Sequence, residues 1–298
     1  MCFFRGTRLI IDWHNFGYSI LALKLGDSHP IVKISKVYEQ FCARGAAAHF
    51  TVTNAMAKVL KNSFGVSALP LHDRPPNHFQ PLSSDQRTSF LARLPETAKY
   101  AKDMQAGTRK LIVSATSWTP DEDFSLLLDA LVLYSTVAAS DSNLPSILAI
   151  ITGKGPQKEH YLSRIRDLNQ EGKLAKVDIT TAWLSMEDYA SLLGAADLGI
   201  SLHTSSSGVD LPMKVVDMFG TGLPVLGWGK FEAWPELVTE DVNGKGFGSA
   251  QELSGLLVDL FKGSDKIKQL RQGALLECKR RWDDEWDPVA GKLLGLVN

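Results

Sequence analysis

From residue 7 onward the chain alternates short apolar runs with longer stretches of helical periodicity, and this alternation constrains the fold more than any other feature. RLIID precedes HPIVKISKVYEQF, AHFTVTN precedes AMAKVLKNSF, and SALPLHD closes the series. Strand-length apolar runs separated by helix-length amphipathic ones are the rhythm of βαβαβ, and so of a parallel sheet. The rhythm breaks at the proline-rich stretch DRPPNHFQPLSSDQ and resumes with KLIVSATS, DEDFSLLLDALVLY and SILAIITGKG. A polar helix from Pro156 to about Gln170 follows, then AKVDITTA, SMEDYASLLGAA, DLGISLHT, a helix around Lys214 to Phe219, and LPVLGW. The fold class is therefore α/β. Its expected organisation is a partial first domain over residues 1–82, a linker over 83–106, a nucleotide-binding-type domain over 107–280 and a C-terminal helix over 281–298 that packs back on the first domain. Three strands and two helices fall short of the five or six strands of a doubly wound domain, so the first domain is expected to be incomplete. The polar stretch TAKYAKDMQAGTRK before the second domain is expected to be mobile.

Composition removes several classes of function. With 44% hydrophobic and 22% charged residues the chain is not a disordered polymer. A net charge of -1 provides no basic field, so nucleic acid is not an expected partner. Cys2, Cys42 and Cys278 lack metal-ligand or redox spacing and are expected to be free thiols. No apolar run reaches the about 18 residues that a bilayer span needs, and MCFFRGTRLI is too short and too charged for a signal peptide.

The stretch SSSGVDLPMKVVDMFGTGLPV, residues 205–225, sets Asp210, Lys214 and Asp217 between two apolar runs. In an open α/β sheet ligands gather beyond the carboxyl ends of the strands. DLGISL is such a strand and HTSSSG the loop that leaves it. Ser205, Ser206, Ser207 and Gly208 are small enough for backbone N–H groups to approach an anion, and the helix that follows offers partial positive charge at its N-terminus. Pro212 suits the first helical turn, and Gly220 and Gly222 end the helix. Lys214 and Asp217 lie three apart on one face. Either they pair with each other, a surface bridge of about 0.2–0.5 kcal/mol, or both face a ligand, Lys214 toward phosphate and Asp217 toward ribose hydroxyls. His203 either hydrogen-bonds a phosphate or sugar hydroxyl or is a satisfied structural histidine. At TSWTPDEDF, Thr119 is expected to cap a helix whose dipole Asp121, Glu122 and Asp123 complement; the functional alternative is contact with the sugar or the partner domain.

The pattern P-x-K-x-x-D-x-x-G-x-G-x-P-V over residues 212–225 resembles the donor-binding signature of glycosyltransferases with two facing nucleotide-fold domains, many of which carry Glu at the acidic position. With IIDWHNFGYSI (10–20), TSWTPDEDFSLLLDAL (116–131), ITGKGP (151–156) and HTSSSGVDLPMKVVDMFG (203–220), the chain resembles the chitobiosyldiphosphodolichol β-mannosyltransferase family. The resemblance is collinear from about residue 7 onward. It implies a GT-B glycosyltransferase of two facing Rossmann-like domains, the N-terminal one incomplete. The implied reaction is inverting transfer of the first β-1,4-mannose from GDP-mannose to GlcNAc2-diphosphodolichol, a lipid diphosphate chitobiose, at the cytosolic face of the endoplasmic reticulum membrane. Other dolichol-pathway mannosyltransferases are implied partners. Neither a cofactor nor a metal is expected, because in this architecture helix dipoles and protein cations stabilise the leaving diphosphate.

The resemblance also assigns residues. In ITGKGP, Gly153 and Gly155 would allow close approach of the nucleotide and Lys154 would meet phosphate or base. Trp183 would stack on guanine, the alternative being a buried core tryptophan. Asp12, Trp13, His14 and Asn15 end the first strand facing the interdomain cleft. Asp12 or His14 is the candidate catalytic base for the acceptor hydroxyl, the alternative being that each positions the acceptor. The basic pair that related transferases place near TSWTPDEDF is absent, which shifts the phosphate to Lys214, Lys154 and backbone donors. WDDEWD reads as a helix packing its tryptophans on the first domain rather than as a metal site. Family members carry a membrane helix and roughly half of the acceptor domain ahead of IIDWHN, where this sequence has MCFFRGTR. The expectation is a shortened chain with an uncovered sheet edge, weak GDP binding and little transfer of its own. The alternatives from other classes are an inactive donor-binding module and a soluble nucleotide-sugar enzyme.

Overall fold

The structure, a computed structural model, describes residues 6–263 and 265–297. Cys2 and most of MCFFRGTR lie outside the described residues; Cys42 is exposed, Cys278 is buried, and both are free thiols. Strands β1 (Ile10–Trp13) and β2 (Ala48–Thr51) pair in parallel, and the two-residue β3 (Leu69–Pro70) joins β2 on its other edge. Helices α1 (Gly17–Leu25) and α2 (Pro30–Ala43) connect β1 to β2, and α3 (Asn54–Val59) with a π turn over Leu60–Phe64 connects β2 to β3. Alternation along β1 turns Trp13 inward, where its indole N–H donates to His49 Nδ1 at 3.1 Å and its ring meets Phe16 and Phe64 at 5.9 and 5.6 Å. Trp13 therefore belongs to the core and not to the cleft.

The segment expected as a linker is helical. Ser83 and Gln86 form a reciprocal capping box that starts α4 (Ser84–Arg93), followed by α5 (Pro95–Ala98) and α6 (Ala101–Gln105). Phe90, Leu91, Leu94 and Met104 from these turns are buried in the same core as strands of the second sheet, so TAKYAKDMQAGTRK is packed rather than loose.

The second sheet has six parallel strands: β4 (Arg109–Ala115), β5 (Ser146–Thr152), β6 (Val177–Ala182), β7 (Leu198–Ser201), β8 (Val225–Trp228) and β9 (Gly244–Phe247). Their spatial order is β6-β5-β4-β7-β8-β9, the 3-2-1-4-5-6 arrangement of a doubly wound sheet. The runs LIV and ILAII are buried throughout, as strands covered on both faces must be. Crossovers are made by α7 (Phe124–Ser140), α8 (Lys158–Gln170), α9 (Met186–Ala195), α10 (Met213–Gly220) and α11 (Trp234–Leu237), and α12 (Ala250–Phe261) packs beside α7. Two expectations shift. Helix α7 starts at Phe124 with Asp123 as its cap, because residues 119–122 form a tight turn in which Glu122 N–H donates to Thr119 O at 3.0 Å. Pro212 is the cap residue of α10 rather than part of its first turn.

After α13 (Asp265–Glu277) the chain returns to the first sheet through α14 (Trp282–Trp286), a π turn over Asp287–Gly291 and α15 (Lys292–Leu294). Trp286, Val289 and Ala290 pack with Ile10, Phe50 and Leu71. Two of the acids of WDDEWD are paired with arginines: Glu285 accepts from Arg74 and from Arg280 at 2.6 Å, and Asp284 Oδ2 accepts from Arg281 N–H at 2.8 Å.

Candidate functional site

The strand order reverses between β4 and β7, and the loops beyond their carboxyl ends, residues 116–123 and 202–212, frame a cavity of about 280 Å³. Asn15 from the first domain and Ser117, Glu122, His203, Asp210 and Lys214 from the second line it. A doubly wound sheet binds its ligands at such a reversal.

Glu122 organises the floor. It is 4% exposed, accepts from Thr116 Oγ1 at 2.9 Å and from the Ser117 N–H, and pairs with Lys214 Nζ. Lys214 Nζ also lies 3.4 Å from Ser117 Oγ. Lys214 is thus aimed across the reversal from α10 rather than paired along its own helix with Asp217. A carboxylate taken out of water needs such a partner, and this one keeps the ammonium at the cavity wall. Of the two readings of Glu122, service to the helix dipole and contact with the sugar or partner domain, the first does not describe it: it lies ahead of α7 and pairs with Lys214.

The serine loop is built around Asp210, which is 5% exposed. Asp210 accepts from Ser205 Oγ, lies 3.4 Å from Ser207 Oγ and 2.8 Å from His203 Nε2. Ser205 adopts φ +62, and its Oγ receives the Gly208 N–H at 2.7 Å. The hydroxyls of Ser205 and Ser207 therefore turn toward Asp210, Ser206 Oγ lies by Ser19 of the first domain, and His203 has a structural partner. Among the described residues no group accepts a hydrogen bond from the amides of Ser205, Ser206 or Ser207. Consecutive free amides ahead of a helix N-terminus suit an anion.

The glycines of ITGKGP are required by a contact within the protein itself. Gly153 has φ +120, and a Cβ there would lie 1.8 Å from Thr116 O; at Gly155 it would lie 1.7 Å from Ser117 O. They permit the two strand-end loops to touch, and the approach they allow is to the Thr116–Ser117 backbone. Lys154 Nζ sits 3.8 Å from the centroid of the Trp183 ring. That ring is 65% exposed, so Trp183 is an open platform and not a core residue. It borders a second cavity of about 270 Å³ with Gly153 and Tyr189.

Asp217 lies on the Tyr189 side of α10. Burial raises its carboxyl to about 7, and among the described residues it has neither an ion-pair nor a hydrogen-bond partner. Tyr189 is raised in turn, by burial first and then by the Asp217 charge. A half-desolvated carboxylate with open acceptor positions suits neutral hydroxyl donors.

At the end of β1, His14 Nε2 lies 3.1 Å from Asp12 Oδ2 and its Nδ1 lies 3.4 Å from Asp73 Oδ2. Hydrogen bonds to Asp12 and Asp73, against a smaller opposing effect of burial, raise its pKa to about 10. That shift favours the imidazolium form of His14 beside Asp12; Asp12 and His14 are the two base candidates at this strand end. The domains meet through Thr53 Oγ1, which donates to Val209 O at 2.5 Å, and through Ser19 Oγ, 3.5 Å from Ser206 Oγ. Glu236 clamps them further: it accepts from the Asn54 and Ala55 amides at 2.6 and 2.7 Å, from Asn54 Nδ2 at 2.9 Å, and lies 3.0 Å from His72 Nε2. Sequence reasoning missed the roles of Glu122, Asp210 and Glu236. For Asp210 a signal existed, an acid isolated between apolar neighbours.

No family model matches the chain. A chitobiosyldiphosphodolichol beta-mannosyltransferase of Arthroderma benhamiae is 60% identical over 99% of this chain and 67% of its own length. The Mus musculus protein of the same name is 41% identical over 97% of this chain and 65% of its own. The first four of these relatives are spanned over only 61–67% of their length. Among solved structures, HepE of Anabaena in complex with UDP superposes with a TM-score of 0.72 at 16% identity, covering 99% of this chain and 74% of that one. Sucrose-phosphate synthase of Thermosynechococcus elongatus gives 0.69 at 13% identity, over 97% and 67%. These likenesses show the GT-B fold.

Proposed function

The chain belongs to the chitobiosyldiphosphodolichol beta-mannosyltransferase family, and from that premise we propose that it binds GDP-mannose at the strand-order reversal of its second domain and transfers β-mannose to a lipid diphosphate chitobiose. The observation that carries this reading is the Glu122–Lys214 pair at the cavity wall, next in sequence to a loop whose Ser205, Ser206 and Ser207 amides donate to no described group. Lys214, those amides and the N-terminus of α10 take the diphosphate and stabilise it as it leaves. Asp217 accepts from the ribose hydroxyls, and Trp183 with Lys154 offers a stacking platform for guanine. From the first domain, Asp12, oriented by the His14 imidazolium, accepts the proton of the attacking hydroxyl as its oxygen bonds to the sugar, and the negative charge leaves on GDP. Transfer uses the protein's own cations, so it persists in EDTA. The site of action is the cytosolic face of the endoplasmic reticulum membrane, beside other mannosyltransferases of the same pathway.

The test incubates the chain with GDP-mannose and a short-chain lipid diphosphate chitobiose, with the longer Arthroderma benhamiae relative in parallel. GDP release and lipid mannosylation are followed together. The expected result is donor binding by both chains and a mannosylated lipid that Asp217→Ala abolishes, with slower turnover by the 298-residue chain, whose first sheet has three strands. Mannose moved to a soluble acceptor with no lipid product, or no donor binding at all, overturns the proposal.

A further inference from the structure

His72, Asp73 and Arg74 follow β3 on the way to α4, and each side chain has a different partner. His72 Nε2 lies 3.0 Å from Glu236 Oε2 of α11, and its Nδ1 lies 3.8 Å from Glu285 Oε2 of α14. Arg74, whose side chain is 6% exposed, pairs with Glu277 of α13 and with Glu285. The backbone at Asp73 is therefore pinned on both sides by carboxylates of the second domain and of the C-terminal return. Asp73 itself turns to the end of β1, where its Oδ2 lies 3.4 Å from His14 Nδ1. That oxygen is buried and accepts no well-formed hydrogen bond from any described group. A carboxylate oxygen taken out of water needs a countercharge. Among the described residues His14 is the one cationic group within ion-pair reach of Asp73.

His14 is held from two sides. With Nε2 3.1 Å from Asp12 Oδ2, one ring bridges a carboxylate of its own strand and a carboxylate of the pinned segment. An acid at one ring nitrogen fixes both the tautomer and the direction in which the other nitrogen points. The three side chains differ in access: His14 is 54% and Asp12 49% exposed, whereas Asp73 is 15% exposed. A substrate hydroxyl can reach the first two. The third stands behind them, as an acid does that orients an imidazole without meeting the reacting atoms. We propose that Asp73 is a positioning residue of the acceptor side: it fixes the His14 ring against Asp12 from a segment that Glu236, Glu277 and Glu285 hold in place. The proton transfer that this serves rests on the mannosyl transfer proposed above; the contact itself does not.

The test compares wild type, Asp73→Asn, His14→Gln and the double variant, each in the 298-residue chain. Histidine titration is followed by NMR on ring-labelled protein, where His14→Gln identifies the His14 signal among the seven histidines. Lipid mannosylation from GDP-mannose is measured on the same samples. In Asp73→Asn the titration midpoint of His14 moves down by about 1 to 3 pH units, and kcat falls about 10- to 100-fold. KM for GDP-mannose stays within about twofold, because Asp73 does not line the donor cavity, and this also shows that the variant is folded. In the His14→Gln background Asp73→Asn lowers kcat by less than about twofold, since an effect that passes through His14 is lost with it. An unmoved His14 midpoint, or a moved midpoint with unchanged kcat, overturns the proposal. So does a full further loss of kcat in the double variant, which assigns Asp73 to the shape of its own segment. Should wild type bind GDP-mannose but make no mannosylated lipid, the transfer reading fails; the His14 shift then leaves the Asp73–His14 contact standing, and its absence sinks both.

Discussion

The two sheets of this molecule differ in how much of their own structure they supply. The second has six strands, the inner ones buried on both faces, and its cavity is walled almost wholly by its own loops. The first has three strands of four, four and two residues, and the outer sides of α1 and α2 are apolar and open. The difference teaches that the proposed donor site is built into the six-stranded frame, whereas the three-stranded sheet is held in place by contacts with that frame. Glu236, Thr53 and the Arg74 cluster with Glu277 and Glu285 are those contacts. Each prediction attacks one side of this comparison.

The largest effect belongs to the Glu122–Lys214 pair. Lys214→Ala leaves a buried carboxylate without its cation, a loss of about 3–5 kcal/mol. On the proposed reading it also removes a charged contact to the diphosphate, and GDP-mannose affinity should fall about 10- to 100-fold. The double variant Lys214→Ala/Glu122→Gln relieves the buried charge, so its urea midpoint returns most of the way to wild type while calorimetry still shows weak donor binding. Recovery of both would make Lys214 a purely structural residue. Stability lost in the single variant should fall on the second domain, seen as faster exchange of β4 and β5 amides.

Glu236 tests the opposite side. Burial alone would raise its carboxyl, but hydrogen bonds from His72 and from Asn54 and Ala55 outweigh burial and hold it down to about 2. A carboxyl lowered in the folded state contributes stability that is complete above its ordinary value near 4.5 and is lost as pH falls through about 2. Glu236→Ala removes those acceptor positions at a cost of about 2 kcal/mol. Asn54 and Ala55 amides should exchange about tenfold or more faster at neutral pH, with β4 and β5 amides unchanged. If both sheets loosen together, the domains unfold as one unit and the comparison fails.

Legibility in the sequence divides along the same line. The strands of the second domain are apolar runs rich in Ile, Val and Leu, and a parallel sheet buried on both faces leaves that trace. Strand β9, GKGF, has no such run and went unread. Proline density suggested a loose connection ahead of KLIVSA, yet Ser83 and Gln86 carry a capping box that starts α4. In the site, Lys214 and Asp217 were legible because three-residue spacing on a helix is a local property. The partner of Lys214 was not: Glu122 meets it across 92 residues, and no periodicity encodes such a contact. The glycines of ITGKGP were legible as a demand for close approach, but what approaches them, the Thr116 and Ser117 carbonyls, exists only in the fold. Trp183 illustrates the same limit, since a lone tryptophan at a strand end does not say which way it faces.

The smallest effect is the most specific. Asp217 is raised from 3.8 to about 7 by burial. A carboxyl raised in the folded state favours the fold below its ordinary value and loses that contribution as pH rises through the folded value, so Asp217→Asn should be more stable than wild type above pH 7 and equal to it in acid. Donor binding runs the other way. Ribose hydroxyls donate to the ionised carboxylate, whose share grows from about a tenth at pH 6 to about nine tenths at pH 8, while the diphosphate of GDP-mannose has no ionisation in that window. GDP-mannose affinity should therefore rise about ninefold between those pH values in wild type and stay flat in Asp217→Asn. A slope that survives the substitution would place the titrating group elsewhere, in the first domain or at its contacts. Recognition would then no longer belong to the six-stranded side alone, because the half-desolvated acid on α10 would not be what meets the nucleoside.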